Sequence, residues 1–193
     1  MRTSLPKILE KIMENDNRYV LLIGDIGHYL FKNIEEKYPD RFYNIGICEQ
    51  AMMSVASGLS LKGLIPVVYS IAPFVTERCY EQIKLDFGYQ KTGGIIISVG
   101  GSFDYAGLGA THHCISDIGL MRLVDHTDII IPGCADDLTS LIEKADTNRL
   151  TYIKLTEKQH TLKIKEYDYY TPYHINKLPD SKGVIFTTGH LLD

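Results

Sequence analysis

No apolar stretch in this chain is longer than a strand, so nothing in it reads as a membrane span. Neither sign of charge dominates. A net charge of −4 gives no basic face with which to hold nucleic acid or an anionic membrane. CxxC spacing is missing: Cys48, Cys79, Cys114 and Cys134 are scattered beside apolar runs, which implies no disulfide framework, and the expectation is four reduced thiols. The first ten residues, Met1–Glu10, carry Pro6 and charges where a secretory signal would be apolar, and the expectation is a cytoplasmic protein. There is no internal repeat and no low-complexity tract. What remains is ordinary: 45% hydrophobic residues in 193 positions is enough for one packed core with some chain to spare.

The hydrophobic pattern alternates between strand-sized runs and helix-sized segments. Ser4–Asn15 reads as a helix, with Ser4 as N-cap and Pro6 in its first turn. The apolar run Tyr19–Ile23 stops at Gly24 and reads as a buried strand. A helix His28–Tyr38 ends before Pro39, and Phe42–Ile45 is a second strand. Glu49–Lys62 is a helix apolar on almost every face, expected to be buried and capped by Gly63. Then come a strand Leu64–Tyr69, an amphipathic helix Phe74–Tyr89 and a strand Ile95–Val99. A glycine-rich loop runs from Gly100 to Cys114. It is followed by helix Asp117–Leu123, strand Asp128–Ile131, helix Asp136–Asp146 and strand Thr151–Leu155. Strands alternating with helices predict an α/β fold: a doubly wound, mostly parallel sheet with helices on both faces. Such sheets bind ligands beyond the carboxyl ends of their strands. Here those loops are Gly24–Gly27, Gly46–Glu49, Ser70–Phe74 and Gly100–His113.

The rhythm is lost after residue 158. Residues 159–182, rich in Tyr, Lys, Pro and Asp, read as a surface linker. Val184–Thr188 looks like a strand, so 183–193 is expected to open a truncated C-terminal domain, with 1–158 as the first domain.

Three constellations fall on the loops. Glu49 is a carboxylate at the start of a helix among Cys48, Ala51, Met52 and Met53. A helix-dipole role would account for it, but a buried carboxylate also demands a specific partner. Phe74, after Tyr69-Ser70-Ile71-Ala72-Pro73 and with Arg78 one turn on, is an aromatic ring at a strand-to-helix turn, where a core role is the plain alternative. Gly107-Leu108-Gly109-Ala110-Thr111-His112-His113 is a glycine-rich loop that could cradle an anion, or simply be surface. It lacks the third glycine of a dinucleotide fingerprint. A metal site from His112, His113, Cys114 and Asp117 is disfavoured because adjacent histidines rarely face one ion, and no metal ligand is assigned. Gly24-Asp25-Ile26-Gly27 is too short to be specific, and Gly100-Gly101-Ser102-Phe103-Asp104 ends in Asp where a nucleophile elbow needs Gly.

Taken in order, Phe42-Tyr43-Asn44-Ile45-Gly46-Ile47-Cys48-Glu49-Gln50-Ala51-Met52, Tyr69–Gln82 and Gly109-Ala110-Thr111-His112-His113 resemble the pyrimidine-binding domain of transketolases. That family also includes 1-deoxyxylulose-5-phosphate synthase and the β subunits of 2-oxoacid dehydrogenases. The resemblance covers roughly Leu5 to Thr156, and Val184–Gly189 resembles the first strand of the family's C-terminal domain. It implies thiamine diphosphate as cofactor, whose own 4′-imino group takes the proton from C2 of the thiazolium. A carboxyl bonded to N1′ of the aminopyrimidine favours that imino form. By resemblance Glu49 is that carboxyl and Phe74 the ring stacked on the pyrimidine, with Ile71 and Arg78 beside them. His112 matches a histidine that contacts the donor's oxygens next to C2, with His113 adjoining on the substrate side. Mg²⁺ and the diphosphate are expected on a separate subunit carrying the diphosphate-binding domain. The implied assembly is a heterotetramer in which this chain also meets its own copy, its uniform helix Glu49–Lys62 lining the central interface.

The chain departs from the transketolase pattern at three places. Leu108 stands where an Asp reads a donor hydroxyl, Gly100 falls where a phosphate-binding histidine is found, and Glu157 where a phosphate-binding arginine is found. The expected activity is transfer of a carbon unit from a ketose-type donor to an aldehyde, with the usual pentose-phosphate donor in doubt. A 2-oxoacid dehydrogenase β-type or deoxyxylulose phosphate synthase-like subunit is the nearest alternative activity. A non-catalytic or regulatory relative of the same fold is the contrasting reading. Glu49 separates the readings, since a retired site has no reason to keep a costly carboxylate there.

Overall fold

The computed structural model describes residues 1–161, 182–183 and 187–192. Its centre is a six-stranded sheet in which every pairing is parallel: β1 Tyr19–Ile23, β2 Phe42–Asn44, β3 Ile65–Ile71, β4 Gly94–Val99, β5 Thr127–Ile130 and β6 Leu150–Lys154. The spatial order is β2-β1-β3-β4-β6-β5, the reversal expected of a doubly wound sheet. β1, β3, β4 and β6 are buried along their whole length, which is why they read as continuous apolar runs and not as alternating ones.

The two faces carry separate cores. Leu21, Ile23, Val67, Tyr69, Ile95, Ile97 and Ile153 pack with the buried stripes of α1 (Leu5–Asn15) and α7 (Ala135–Glu143). Val20, Leu22, Val68, Ile96 and Tyr152 pack on the other side with Met52, Met53 and Ala56 of α3 (Glu49–Leu61), with Ile83 and Phe87, and with Met121 of α6 (Asp117–Met121). Each fully buried side chain of this kind is worth about 1.5–3 kcal/mol. The helix expected from His28 is a 3-10 turn His28–Leu30 followed by α2 (Lys32–Lys37). Ser4 sits at the N-cap of α1 but makes no capping bond through its side chain. Gly63 ends α3 as expected: at φ 82° its N–H donates to Ser60 and that of Leu64 to Leu59.

Two expectations fail. The helix Phe74–Tyr89 is broken into α4 (Ala72–Val75), turns at 76–79, α5 (Tyr80–Gln82) and a π-helical stretch Ile83–Tyr89. The break falls at Thr76, whose hydroxyl donates back to Ala72 O at 2.7 Å and whose backbone leaves helical geometry. α3 is not buried all round. Its Met52–Met53–Ala56 stripe faces the sheet, while Gln50, Ala51, Ser54, Val55, Gly58 and Leu61 are exposed on the single chain. Most of the expected linker, and Val184–Phe186 of the expected last strand, lie outside the described residues. Among the described residues no helix is long and apolar enough to cross a membrane.

Candidate active site

The loops beyond β1 and β2 are tied together by one side chain. Asn44 Oδ1 accepts from the N–H groups of Asp25 and Gly46, each at 3.0 Å, and its Nδ2 donates to Asp25 Oδ1 at 3.3 Å. Asp25 (φ 66°) and Gly46 (φ 73°) both take left-handed backbone here, and Gly46 turns the chain into α3 so that Glu49 is its first residue.

Glu49 is 1% exposed, its side chain lying against Gly24 and overlooking the carboxyl end of the sheet. Its two oxygens both accept from one nitrogen, Arg78 Nη1, at 2.9 and 3.0 Å. The Arg78 side chain is 37% exposed and its guanidinium lies 4.0 Å from the centre of the Phe74 ring. Phe74 in turn meets His112 edge to face at 5.4 Å, and His112 Nδ1 bonds the Thr111 hydroxyl at 2.9 Å. Four residues singled out in the sequence, Glu49, Arg78, Phe74 and His112, therefore form one unbroken chain of contacts. Ile71 ends β3 inside the core cluster on which Phe74 packs. His113 is turned aside: its ring meets Phe103 at 5.0 Å, and its buried Nε2 has no hydrogen-bond partner among the described residues.

The break in the helix after Val75 has a use. It sends Arg78 to Glu49 and Glu77 the other way, onto the histidine loop. Glu77 Oε1 accepts from the Ser116 hydroxyl and from the Cys114 thiol, while Thr76 Oγ1 lies 3.5 Å from the same sulfur. Ser102 and Cys114 exchange a pair of backbone hydrogen bonds, 2.6 and 2.9 Å, which closes the loop at its neck. Beneath the neck lies a buried polar network that the sequence motifs do not announce. Lys154 Nζ sits 2.9 and 3.1 Å from the two oxygens of Asp117, the Tyr152 hydroxyl donates to Asp117 at 2.9 Å, and Ser98 bonds Tyr152 at 2.7 Å. One signal for it exists: Lys154 is a lysine inside a wholly buried strand.

The departures have structural form. Gly100 is left-handed (φ 69°) and a side chain there would run into the Tyr105 ring. Leu108 is 60% exposed at the loop's tip, and Glu157 is exposed. Burial, then the Glu49 carboxylate, pushes the Cys79 thiol up to about 12; burial, then Asp117, lifts the Tyr152 phenol well above its ordinary value.

These residues fit one end of thiamine diphosphate. A buried carboxylate can bond a ring nitrogen, and an aromatic face beside it can stack a flat heterocycle. Both sites now hold the planar guanidinium of Arg78, a flat cation whose donors match those of a heterocycle protonated at its ring nitrogen. A matching fit for the diphosphate and its Mg²⁺ does not emerge among the described residues around Glu49.

The fold is that of a thiamine diphosphate-type pyrimidine domain, and residues 1–161 match the family model described as transketolase, pyrimidine binding domain. The chain belongs to that family, whose cofactor is thiamine diphosphate. It is 31% identical, over its whole length, to an uncharacterized 33.6 kDa protein in the fasciation locus of Rhodococcoides fascians, of which it spans 61%. It is 36% identical over 110 residues to a subunit of the apulose-4-phosphate transketolase of Actinobacillus succinogenes, covering 57% of this chain and 35% of that one. A solved structure described as a split-gene transketolase, inactive β4 tetramer, superposes with a TM-score of 0.72 at 25% identity, covering 90% of this chain and 55% of the other. The chain thus spans less than two thirds of each of these relatives.

Proposed function

We propose that this chain is the pyrimidine-binding subunit of a thiamine diphosphate-dependent, transketolase-like transferase, completed by a second subunit that carries the diphosphate and Mg²⁺ contacts. The observation that carries the reading is Glu49. It is a carboxylate 1% exposed whose one cation partner among the described residues, Arg78, is itself partly open to solvent and rests on an aromatic face. An ion pair with one buried partner is a poor source of stability, so its retention points to a ligand that the carboxylate must meet.

When bound, the cofactor supplies the nucleophilic centre that takes a carbon unit from a ketose-type donor and passes it to an aldehyde. Glu49 would hold the aminopyrimidine through N1′ and share a proton there. Phe74 would stack on the ring, with Ile71 closing the apolar wall and Arg78 giving up its seat while staying near the carboxylate. His112, fixed by Thr111 and Phe74, would donate to donor oxygens on the substrate side; His113 would shape the loop through Phe103. The exposed face of α3, with Ala51, Val55, Gly58 and Leu61, has the small and apolar character of a subunit contact, which supports a symmetric assembly of two copies of each chain.

The test is calorimetry with thiamine diphosphate and Mg²⁺ on the chain alone and then with its partner. The expected result is weak or undetectable binding alone and tight binding to the complex, because the diphosphate contacts carry much of the affinity. Micromolar, Mg²⁺-dependent binding by the isolated chain would refute the division of labour.

A further inference from the structure

At the far edge of the sheet, away from Glu49, three side chains converge that the transferase reading does not use. Cys134 precedes α7, Asp137 lies in that helix's first turn, and His160 stands just past β6. Their ligand atoms all lie within 4.8 Å of one another. His160 is 4% exposed, and neither of its ring nitrogens has a hydrogen-bond partner among the described residues. Its Nε2 points at Asp137 Oδ2 from 3.7 Å, too far for a hydrogen bond. The ring is laid against the backbone of Gly133, where any side chain would collide with it, and the His160 N–H donates to Gly133 O at 3.0 Å. A buried imidazole with both nitrogens unpaired is costly unless something ligates it.

We propose that Cys134, Asp137 and His160 hold a Zn²⁺ ion that fastens the chain leaving β6 to the start of α7. One sulfur, one nitrogen and one carboxylate oxygen form a donor set that suits Zn²⁺ and not Mg²⁺ or Ca²⁺. Thiolate and carboxylate together cancel the ion's charge, so the filled site is electrically neutral and tolerates burial. A tetrahedron with Zn–ligand bonds of about 2.0–2.3 Å has edges of about 3.3–3.8 Å. The His160–Asp137 separation of 3.7 Å already matches such an edge, and no pair of donors exceeds 4.8 Å, so small side-chain rotations suffice to close the set. A water completes the fourth position. Cys134 and Asp137 form a reciprocal capping box at the start of α7, the Cys134 sulfur accepting from the Asp137 N–H and Asp137 Oδ2 from the Cys134 N–H at 3.2 Å, which already holds these two donors side by side. The site depends on β5, β6 and α7, whereas the cofactor residues come from the loops after β2, β3 and β4, so it stands or falls separately from the transferase reading.

The experiment uses the untagged full chain, stripped with chelator and titrated with Co²⁺ and then Zn²⁺. The expected result is one Co²⁺ per chain with a thiolate-to-cobalt charge-transfer band, bleached by Zn²⁺, and a rise in Tm on adding Zn²⁺. Cys134→Ala should remove the band and the Tm rise, and His160→Gln should weaken Zn²⁺ binding by at least ten-fold. Should His160→Gln not fold, Cys134→Ala decides alone, since that side chain is only partly buried. No thiolate band in the native chain, or a band and Tm rise that persist in Cys134→Ala, would overturn the proposal.

Discussion

Glu49→Gln separates charge from shape at the centre of the site. The amide keeps the volume of a side chain that is 1% exposed, and one of its two heads can still accept from Arg78 Nη1. What it loses is the second acceptor, the negative charge and the capacity to share a proton. For the free protein, the Arg78 donor stays charged while its acceptor becomes neutral; the step from roughly 1.5–3 kcal/mol toward roughly 0.5–1.5 bounds the loss at about 1–1.5 kcal/mol. The exposure of Arg78 screens the pair and reduces that further. For a domain of this size about 1 kcal/mol lowers Tm by roughly 2–4 °C. For the reconstituted enzyme, losing an acid–base group of this kind costs about 10²–10⁴ in kcat. Thermal melting and steady-state turnover of one variant should therefore diverge: nearly native Tm, nearly absent activity. A loss of only a few-fold in kcat would mean that Glu49 is not the activating carboxyl, and the assignment would fail.

Lys154→Met should destabilise the chain by about 3–5 kcal/mol in urea unfolding, because it strands the buried Asp117 carboxylate; a cost under about 1 kcal/mol would show that the network is not a true ion pair. Leu108→Asp should shift donor preference of the complex by ten-fold or more toward donors that present a hydroxyl there, an effect of about 1–3 kcal/mol read as kcat/KM across a donor panel. If xylulose 5-phosphate or fructose 6-phosphate is already the best donor of the native complex, the reading of Leu108 is wrong. Alkali should destabilise the fold. Burial holds Cys79 and Tyr69 each up to about 12, above their unfolded values, so the stability they contribute is intact below about pH 9 and is lost as pH rises toward 12. Equilibrium unfolding at stepped pH checks this, and a flat profile from pH 8 to about 11 would contradict it.

The sheet was legible because its strands are buried on both faces and stand out as apolar runs between glycines and helices. Glu49 was legible because a carboxylate is out of place among Cys48, Ala51, Met52 and Met53. The break in the helix after Phe74 was not, since the conformation of Thr76 answers to bonds with Ala72 and Cys114 that no local pattern encodes. The same holds for Asp117 and Lys154, which lie far apart in the chain and meet only after β6 is laid beside β4. α3 misled because its residues are small or apolar all round, and composition alone does not say which of them the sheet covers. Cys134, Asp137 and His160 carried no spacing signal, because two of them share one helix turn and the third arrives from another strand.

The neck of the histidine loop has a consequence for how such sites diversify. Ser102 and Cys114 are bonded to each other, Glu77 grips the Cys114 side, and Lys154 reaches the Ser102 hydroxyl. Beyond the neck the loop is also pinned at Tyr105, whose hydroxyl accepts from Arg2 at 3.2 Å, and at His112, which meets Phe74, while Leu108 projects outward between them. A substitution of the Leu108 side chain, which points to solvent, therefore transmits little strain to the sheet or to Glu49. On the proposed function, position 108 is a replaceable nozzle on a fixed mount: it can be rewritten for a new donor while Tyr105, His112 and the neck keep their places.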